Sequence, residues 1–558
     1  MSTYSITKPA FGRESQHAPA LPAGNKKILE FGDRPLLVQD VLGAAKGEFE
    51  LKLSSAAQVA IQRSRAHLAA KLLAGEPIYG VTTGFGGNAK YQIPTQDQTE
   101  HQRNLLEFLS VGTGPYLSDT AVRAAMVLRA NALAQGWSAV RLVVVVSLVQ
   151  FLNHEITPLV HRFGSVGASG DLVPSAAVAR ALCGLGDVRF QGYVMPAAEA
   201  LKHAGLQPLQ LEAKEGLALV NGTTTMTAVA MLAADEAKYL FEVALTGIAM
   251  AVEALEASPD YYDDRIHVAK HHPGPIAVAA CLRAALSGSE RITVLDEIKT
   301  KIADAANRAH AGQKAERAEH SIQAPYSLRC VPQGLGPFAE SLADTWHTLE
   351  REGNSPNDNP LVCPQTGDVL HTGNFYGASV ARVMDGLKLD LCNLANWLHA
   401  ILALLMDPRF SGGLPDCLSP HPGVSQGFKG LQIAHTSLVT AIRHLAAPSL
   451  IHTLPTESFN QDVVSLGTHA AMIAQDITKL LRDVVSMTLL ATAQAVELRG
   501  GGRLGAGTAP VFHAVRELSP FLDQDRALDR EIAGLSRAIE QRRIPVLALD
   551  GKQTQVPA

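Results

Sequence analysis

The sequence predicts a mainly α-helical protein built from unusually long helices. Two observations lead there. Only 5% of the residues are aromatic, while alanine and leucine are frequent, and helices favour such residues over bulky aromatic or β-branched ones. Helical periodicity then recurs along most of the chain, in several stretches of more than twenty residues separated by loops. At about 150 residues per domain, 558 residues would suggest three to four domains. The long helices favour one assembly instead, with residues 1–30 as a flexible arm and 31–558 as a single unit. That unit divides into an N-terminal part (31–215), a central long-helix bundle (216–500) and a C-terminal linker and helix (501–558).

Composition narrows the function. Lys and Arg number 48 against 53 Asp and Glu, a formal charge of −5. No basic excess exists to neutralise phosphates, which argues against nucleic acid as a partner. Apolar residues make up 47% and charged residues 18%, enough for large buried surfaces, some of them between subunits, and too apolar for disorder. The six cysteines lack CxxC spacing and read as free thiols in a reducing compartment, with no metal site expected. The polar start has no apolar segment of a secretory signal. The runs Leu142–Leu152 and Leu391–Met406 are too short to span a bilayer. The expectation is a cytoplasmic protein without a membrane partner.

Along the chain, Leu36–Gly47 and Ser54–Gly75 carry helical periodicity, the second ending at glycine. Tyr79–Asn88, YGVTTGFGGN, holds four glycines in ten residues and reads as a loop. Helices resume over Gln98–Gly112, Ser118–Ala134 (with Ser118-Asp119 as a start) and Ala139–Asn153. Phe163–Pro174, FGSVGASGDLVP, reads as a second glycine-rich loop, capped into a helix near Asp171 and Ser175. Residues 186–214 suggest a hairpin around Gly192. Long helices follow at about 223–257, 290–316, 334–352, 375–406, 427–446 and 462–497. The run 499–511 reads as a flexible linker before a last helix near 525–542.

Three readings compete for Ala168-Ser169-Gly170. It can be an ordinary tight turn. It can be part of a phosphate cradle at a helix N-terminus, although no Lys-Ser/Thr pair follows as in a P-loop. Or the unhindered Gly170 nitrogen can attack the carbonyl two residues back. Loss of water from that ring and from the serine then leaves an alkene conjugated to a carbonyl, a strong electrophile made from the chain itself.

The surrounding motifs weigh between these readings. GSVGASGDLVPSA resembles the electrophile-forming loop of the aromatic amino acid ammonia-lyases, the family of histidine, phenylalanine and tyrosine ammonia-lyases and related aminomutases. YGVTTGFGG (79–87), KEGLALVNGT (214–223), YSLRCVPQ (326–333), GNF (373–375) and FNQD (459–462) resemble further motifs of that family, in its order. The resemblance spans roughly residues 35–500 and is closest to bacterial phenylalanine ammonia-lyases. It implies a fumarase/aspartase-like bundle of long helices, a homotetramer with active sites shared between subunits, and no external cofactor. Ala168, Ser169 and Gly170 would form the 4-methylidene-imidazol-5-one group, MIO.

The resemblance also implies roles. Tyr79 would be the base for the β-proton, with a pKa below the ordinary tyrosine value near 10. Asn221 would hold the electrophile and the substrate carboxylate. Tyr326 would assist proton transfer or electrophile formation, and Arg329 would bind the carboxylate, the two sharing one helical turn at i and i+3. Gln323 would set local conformation, although Ala324-Pro325 replaces the aspartate that often follows it. Glu457 would sit near the amino group and Gln461 near the carboxylate or ring, the two at i, i+4 on one helix face. Phe375 would form an aromatic wall. Read alone, each has a plainer explanation: a loop aromatic for Tyr79, a turn for Asn221, an ion pair for Arg329, a solvated face for Glu457 and Gln461, core for Phe375.

Phe108 and Leu109 occupy the position that resembles the family's substrate selector, with Leu217 and Val220 as further candidates. Phe-Leu resembles phenylalanine enzymes. A phenol buried against Phe108 would leave its hydroxyl unpaired at a cost of roughly 1–3 kcal/mol. At position 461, histidine enzymes carry Glu where this chain has Gln. The expectation is deamination of L-phenylalanine to trans-cinnamate and ammonia. The alternatives are a tyrosine or substituted-phenylalanine ammonia-lyase, an aromatic 2,3-aminomutase, and an inactive helical scaffold.

Overall fold

The longest periodic stretches become the core. The computed structural model describes residues 26–308, 321–500 and 502–549. Thr224–Ala254, of 31 residues, is apolar on nearly every side and buried for most of its length, as a central bundle helix must be. It packs most extensively against Gly467–Leu498, which packs in turn on Ala378–Met406; Val331–Gly353 and Asp119–Ala134 complete the bundle. Helices of about 30 residues run ~45 Å. Among the described residues, Ala378–Met406 alone is long and apolar enough to cross a membrane; here it packs among the other bundle helices.

Short strands tie down the periphery. Lys27–Phe31 pairs in parallel with Phe49–Leu53, so the end of the segment expected to be an arm is a strand; residues 1–25 lie outside the described residues. Asp187–Phe190 and Tyr193–Pro196 form the hairpin expected around Gly192. The helix starts at Ser54 and Ser118 are genuine caps, each hydroxyl accepting from the backbone three residues on, Ala57 N and Ala121 N.

Three expectations need correction. Pro273–Ala285 is a helix that the sequence reading left unassigned; its two prolines, Pro273 and Pro275, sit in the first turn, where a missing N–H costs nothing. The helix expected over 290–316 is described as Leu295–Arg308, and residues 309–320 lie outside the description. The segment 499–511 is not simply a loose linker. Thr508–Leu518 is a helix, and a side chain at Gly505 would collide with Ala285 and Leu286, one at Gly507 with Ala285 and Leu547.

What positions the site is a convergence of helix beginnings. Leu172–Leu182 starts directly after the 163–171 loop. Met226 N, in the first turn of Thr224–Ala254, donates to Asp171 Oδ2 at 2.8 Å. Gly377 N, at the start of Ala378–Met406, donates to Gly167 O, and Leu466 N, before Gly467–Leu498, donates to Val166 O. Four helix N-termini therefore surround this loop, and three of them donate amide hydrogen bonds into it.

Candidate active site

Ala168-Ser169-Gly170 sits in a bend that requires glycine at its third position. Gly170 has φ +72°, and a side chain there would meet Gly222 O at 2.0 Å. Gly222 in turn lies against Asn357 Oδ1 and Arg129 Nη2, at 2.3 and 2.6 Å from where its own Cβ would be. The two glycines form a backbone bridge: Gly222 N donates to Ser169 O at 3.4 Å and Asp171 N to Gly222 O at 2.7 Å. Asn221, at the end of the short helix Glu215–Val220, donates from Nδ2 to Ser169 O at 2.9 Å. Among the described residues, its Oδ1 is buried without a partner. Gln461 Nε2 donates to Ser169 Oγ at 2.9 Å.

Tyr79 opens the other glycine-rich loop. Its hydroxyl accepts from Gly86 N at 2.8 Å, and its backbone N donates to His371 Nε2 at 3.3 Å. Gly86 is the joint between this loop and the 456–461 segment: the space a side chain would fill there is taken by the Glu457 carboxylate. Burial pushes the Tyr79 hydroxyl above its ordinary pKa; the Gly86 N–H opposes this, and the Glu457 charge adds to it. The expectation of a lowered pKa is therefore reversed within this chain, because desolvation outweighs the single donated hydrogen bond.

A second correction concerns Glu457 and Gln461, which do not share a helix face. Glu457, Ser458 and Phe459 all have left-handed φ of 51°, 53° and 63°, and Thr456 pairs with Gln461 across the turn. A right-handed helix cannot form through three such residues. The turn nevertheless delivers both side chains, Glu457 to the Tyr79 loop and Gln461 to Ser169. Phe375, half-buried, lies two residues before Gly377, whose N–H reaches Gly167 O.

One chain thus brings together Tyr79, Ser169, Asn221, Glu457 and Gln461. Tyr326 and Arg329 stand elsewhere. They share one turn as expected, with the guanidinium 4.6 Å over the Tyr326 ring, and Arg329 Nε donates to Ala324 O. Tyr326 is 70% exposed, and among the described residues no hydrogen bond or ring contact links either to the Ser169 loop. Gln323 bonds locally with Ser321. Phe108, ending the helix Gln98–Phe108, is 57% exposed, whereas Leu109 and Leu217 are buried. Leu217 lies against Gly80, beside Tyr79.

Several supporting residues escaped the sequence reading. Asp171 does not cap its own helix; its carboxylate accepts from Thr468 Oγ1, Ser165 Oγ and Met226 N. Burial raises its pKa against those three bonds and the nearby Arg129 charge. Arg129 is fully enclosed and donates to Asn221 O at 2.9 Å, Asn357 Oδ1 and Thr224 Oγ1. Burial pulls its pKa down to about 10. Buried arginines on the mostly apolar helix Asp119–Ala134, Arg123 and Arg129, were the available signal.

The sequence model described as aromatic amino acid lyase matches residues 36–517. The chain belongs to the aromatic amino acid lyase family. A hal-like protein of Dictyostelium discoideum is 42% identical, covering 94% of this chain and 98% of its own. Histidine ammonia-lyase of Geobacillus thermodenitrificans is 39% identical over 87% of this chain and 92% of its own. Tyrosine ammonia-lyase of Cupriavidus metallidurans is 39% identical over 86% and 90%. Among solved structures, Pantoea agglomerans phenylalanine aminomutase matches with a TM-score of 0.88 and 33% identity, covering 92% of this chain and 98% of its own. Tyrosine aminomutase from Streptomyces globisporus matches with a TM-score of 0.88 and 31% identity, over 95% and 100%. As a member of this family, the protein is a carbon–nitrogen lyase of aromatic amino acids with the ammonia-lyase/aminomutase fold.

Proposed function

We propose that this lyase deaminates L-phenylalanine to trans-cinnamate and ammonia, with an MIO group made from Ala168, Ser169 and Gly170. One observation carries the reading: Ser169 is clamped by Asn221 on its carbonyl and Gln461 on its hydroxyl, beside the Tyr79 loop. The residues fit the group. Gly170 has no side chain to obstruct attack of its nitrogen on the Ala168 carbonyl carbon, which forms the ring and expels one water. Ser169 then loses its Oγ and α-proton as a second water. Asn221 Oδ1, buried and without a partner among the described residues, marks polar capacity facing this region. Once formed, the group supplies an electrophilic alkene that makes the substrate amine a better leaving group.

The remaining work falls to side chains. Tyr79, as phenolate, takes the β-proton; the Gly86 N–H favours the charged form, while burial and the Glu457 charge resist it. Glu457 faces the amino group, Arg329 pairs with the carboxylate in a bidentate fork, and Phe375 flanks the ring. Arg329 and Tyr326 reach the site from another copy of the chain, in a homotetramer. Their separation from Ser169 within one chain, and the exposure of Tyr326, support this.

For substrate choice, Phe108 and Leu109 present an apolar face to the ring, and Gln461 replaces the acid of histidine enzymes at a position that contacts Ser169. A second reading, tyrosine or aminomutase chemistry, is favoured by the tyrosine ammonia-lyase and aminomutase relatives. An assay of phenylalanine, tyrosine, dihydroxyphenylalanine and histidine, with β-amino acids measured among the products, separates these. Intact mass tests the electrophile: the active chain is short by two waters, and Ser169→Ala lacks the dehydrated serine and nearly all turnover. An active preparation of unmodified mass would refute the MIO assignment.

A further inference from the structure

Gln102, on the helix Gln98–Phe108, is fully buried and both ends of its carboxamide are used. Nε2 donates to Gly80 O at 2.9 Å, and Oε1 accepts from Leu217 N at 2.9 Å. These partners belong to two segments far apart in sequence. Gly80 directly follows Tyr79. Leu217 lies in Glu215–Val220, the helix that ends at Asn221 and so at Ser169. We infer that Gln102 is a positioning residue that sets the Tyr79 hydroxyl relative to Ser169 by tying the Tyr79 loop to the Asn221 helix.

The local geometry gives this tie its leverage. Gly80 has φ +66° and no side chain of its own; its N–H is held within the loop by Thr83 Oγ1, and its carbonyl is the group that Gln102 ties to another element. Gly216 supplies the matching close approach, since a side chain there would lie 2.8 Å from Gln102 O and 3.1 Å from Oε1. The neighbouring His101 adds a second hold, its ring stacked 4.0 Å from Phe85 in the same loop. The helix carrying these residues ends at Phe108. One rigid element thus positions the base loop, the Asn221 helix and the ring-facing residue together. Holding reacting groups in place matters because small misplacements cost large factors in rate.

This inference rests on the reading of Tyr79 as the base, and two variants of the full-length enzyme test it. Gln102→Glu keeps the acceptor for Leu217 N and removes the donor to Gly80 O. Gln102→Met removes both at similar length. Both variants should keep the two-water mass deficit and the parent's assembly state. Turnover of L-phenylalanine by Gln102→Glu should fall about 10- to 100-fold, with KM moving less than about threefold. The acid limb of its kcat/KM profile should move to higher pH, because a displaced loop loses the Gly86 N–H that favours the Tyr79 phenolate. A merely structural role would leave that limb in place. A Gln102→Glu enzyme within about threefold of the parent, with the same acid limb, would overturn the inference. So would loss of the mass deficit or of assembly in both variants, which would make Gln102 a folding residue. If the parent converts none of the aromatic amino acids, the functional reading fails separately. Amide hydrogen exchange over residues 80–88 then decides the tie: faster exchange in Gln102→Glu supports it, unchanged exchange overturns it.

Discussion

Tyr79 shows how a single residue can be prepared and opposed at once. Its hydroxyl already accepts the Gly86 N–H, while burial holds its proton more firmly than water would. Tyr79→Phe removes the oxygen and keeps the ring that packs the loop. The expected outcome is phenylalanine binding close to the parent's, with kcat reduced by ~10²–10⁴-fold; a stopped assay with a separate binding titration measures both. A variant within about threefold would assign proton removal to another group. Phe108 tests selection in the same way. Phe108→His gives a buried phenol a partner and takes apolar contact from a bare ring. The kcat/KM ratio should move toward tyrosine by roughly five- to 150-fold, equivalent to about 1–3 kcal/mol. If the ratio does not move, Phe108 does not line the ring pocket, and Leu217 becomes the next residue to change.

At the scale of elements, the bundle encloses polar groups that make its stability depend on pH. His435 is buried where Lys429–Leu445 meets its neighbours, with Nδ1 3.1 Å from His399 Nδ1 and Nε2 3.2 Å from Thr488 Oγ1. Burial, with a smaller push from His399, pulls its pKa down to about 3. The unfolded chain takes up this proton near pH ~6.5 and the folded chain only near 3, so between those values the unfolded state binds more protons. Stability therefore falls as pH falls through that window, by up to ~1.4 kcal/mol per pH unit from this group. His435→Gln should flatten the decline of the melting temperature between about pH 6 and 4; an unchanged slope would place the titrating group elsewhere. Elements also show where sequence patterns carry meaning. Ser54 and Ser118 announce their helices because an N-cap is a local matter. The 456–461 turn hides behind its i, i+4 spacing, because three successive left-handed residues leave no mark in residue type.

At the scale of the whole molecule, the candidate site is divided. Ser169, Asn221 and Tyr79 gather in one chain, while Tyr326 and Arg329 stay apart from them. If the two halves meet across subunits, Ser169→Ala and Arg329→Ala should each be inactive alone and active when co-assembled. Random mixing in equal amounts leaves about a quarter of the sites with both native groups, so roughly a quarter of the parental activity should return. Activity no greater than the sum of the separate variants would place the complete site within one chain.

The sequence by itself determined the helical class, the position of most long helices, both glycine-rich loops and the residue types around Ser169. Periodicity, caps and glycine clusters are local properties, and the ordered motifs limited the chemistry to one family. Tertiary structure alone decided three things. It reversed the direction of the Tyr79 pKa, because burial depends on what packs around a group. It showed that Asp171 secures the start of Thr224–Ala254 rather than its own helix. It revealed Arg129 and Gln102 as the links between distant segments. A buried polar side chain looks the same in sequence whether it pairs with its neighbour or with a backbone a hundred residues away. Only the fold brings the partner that satisfies it.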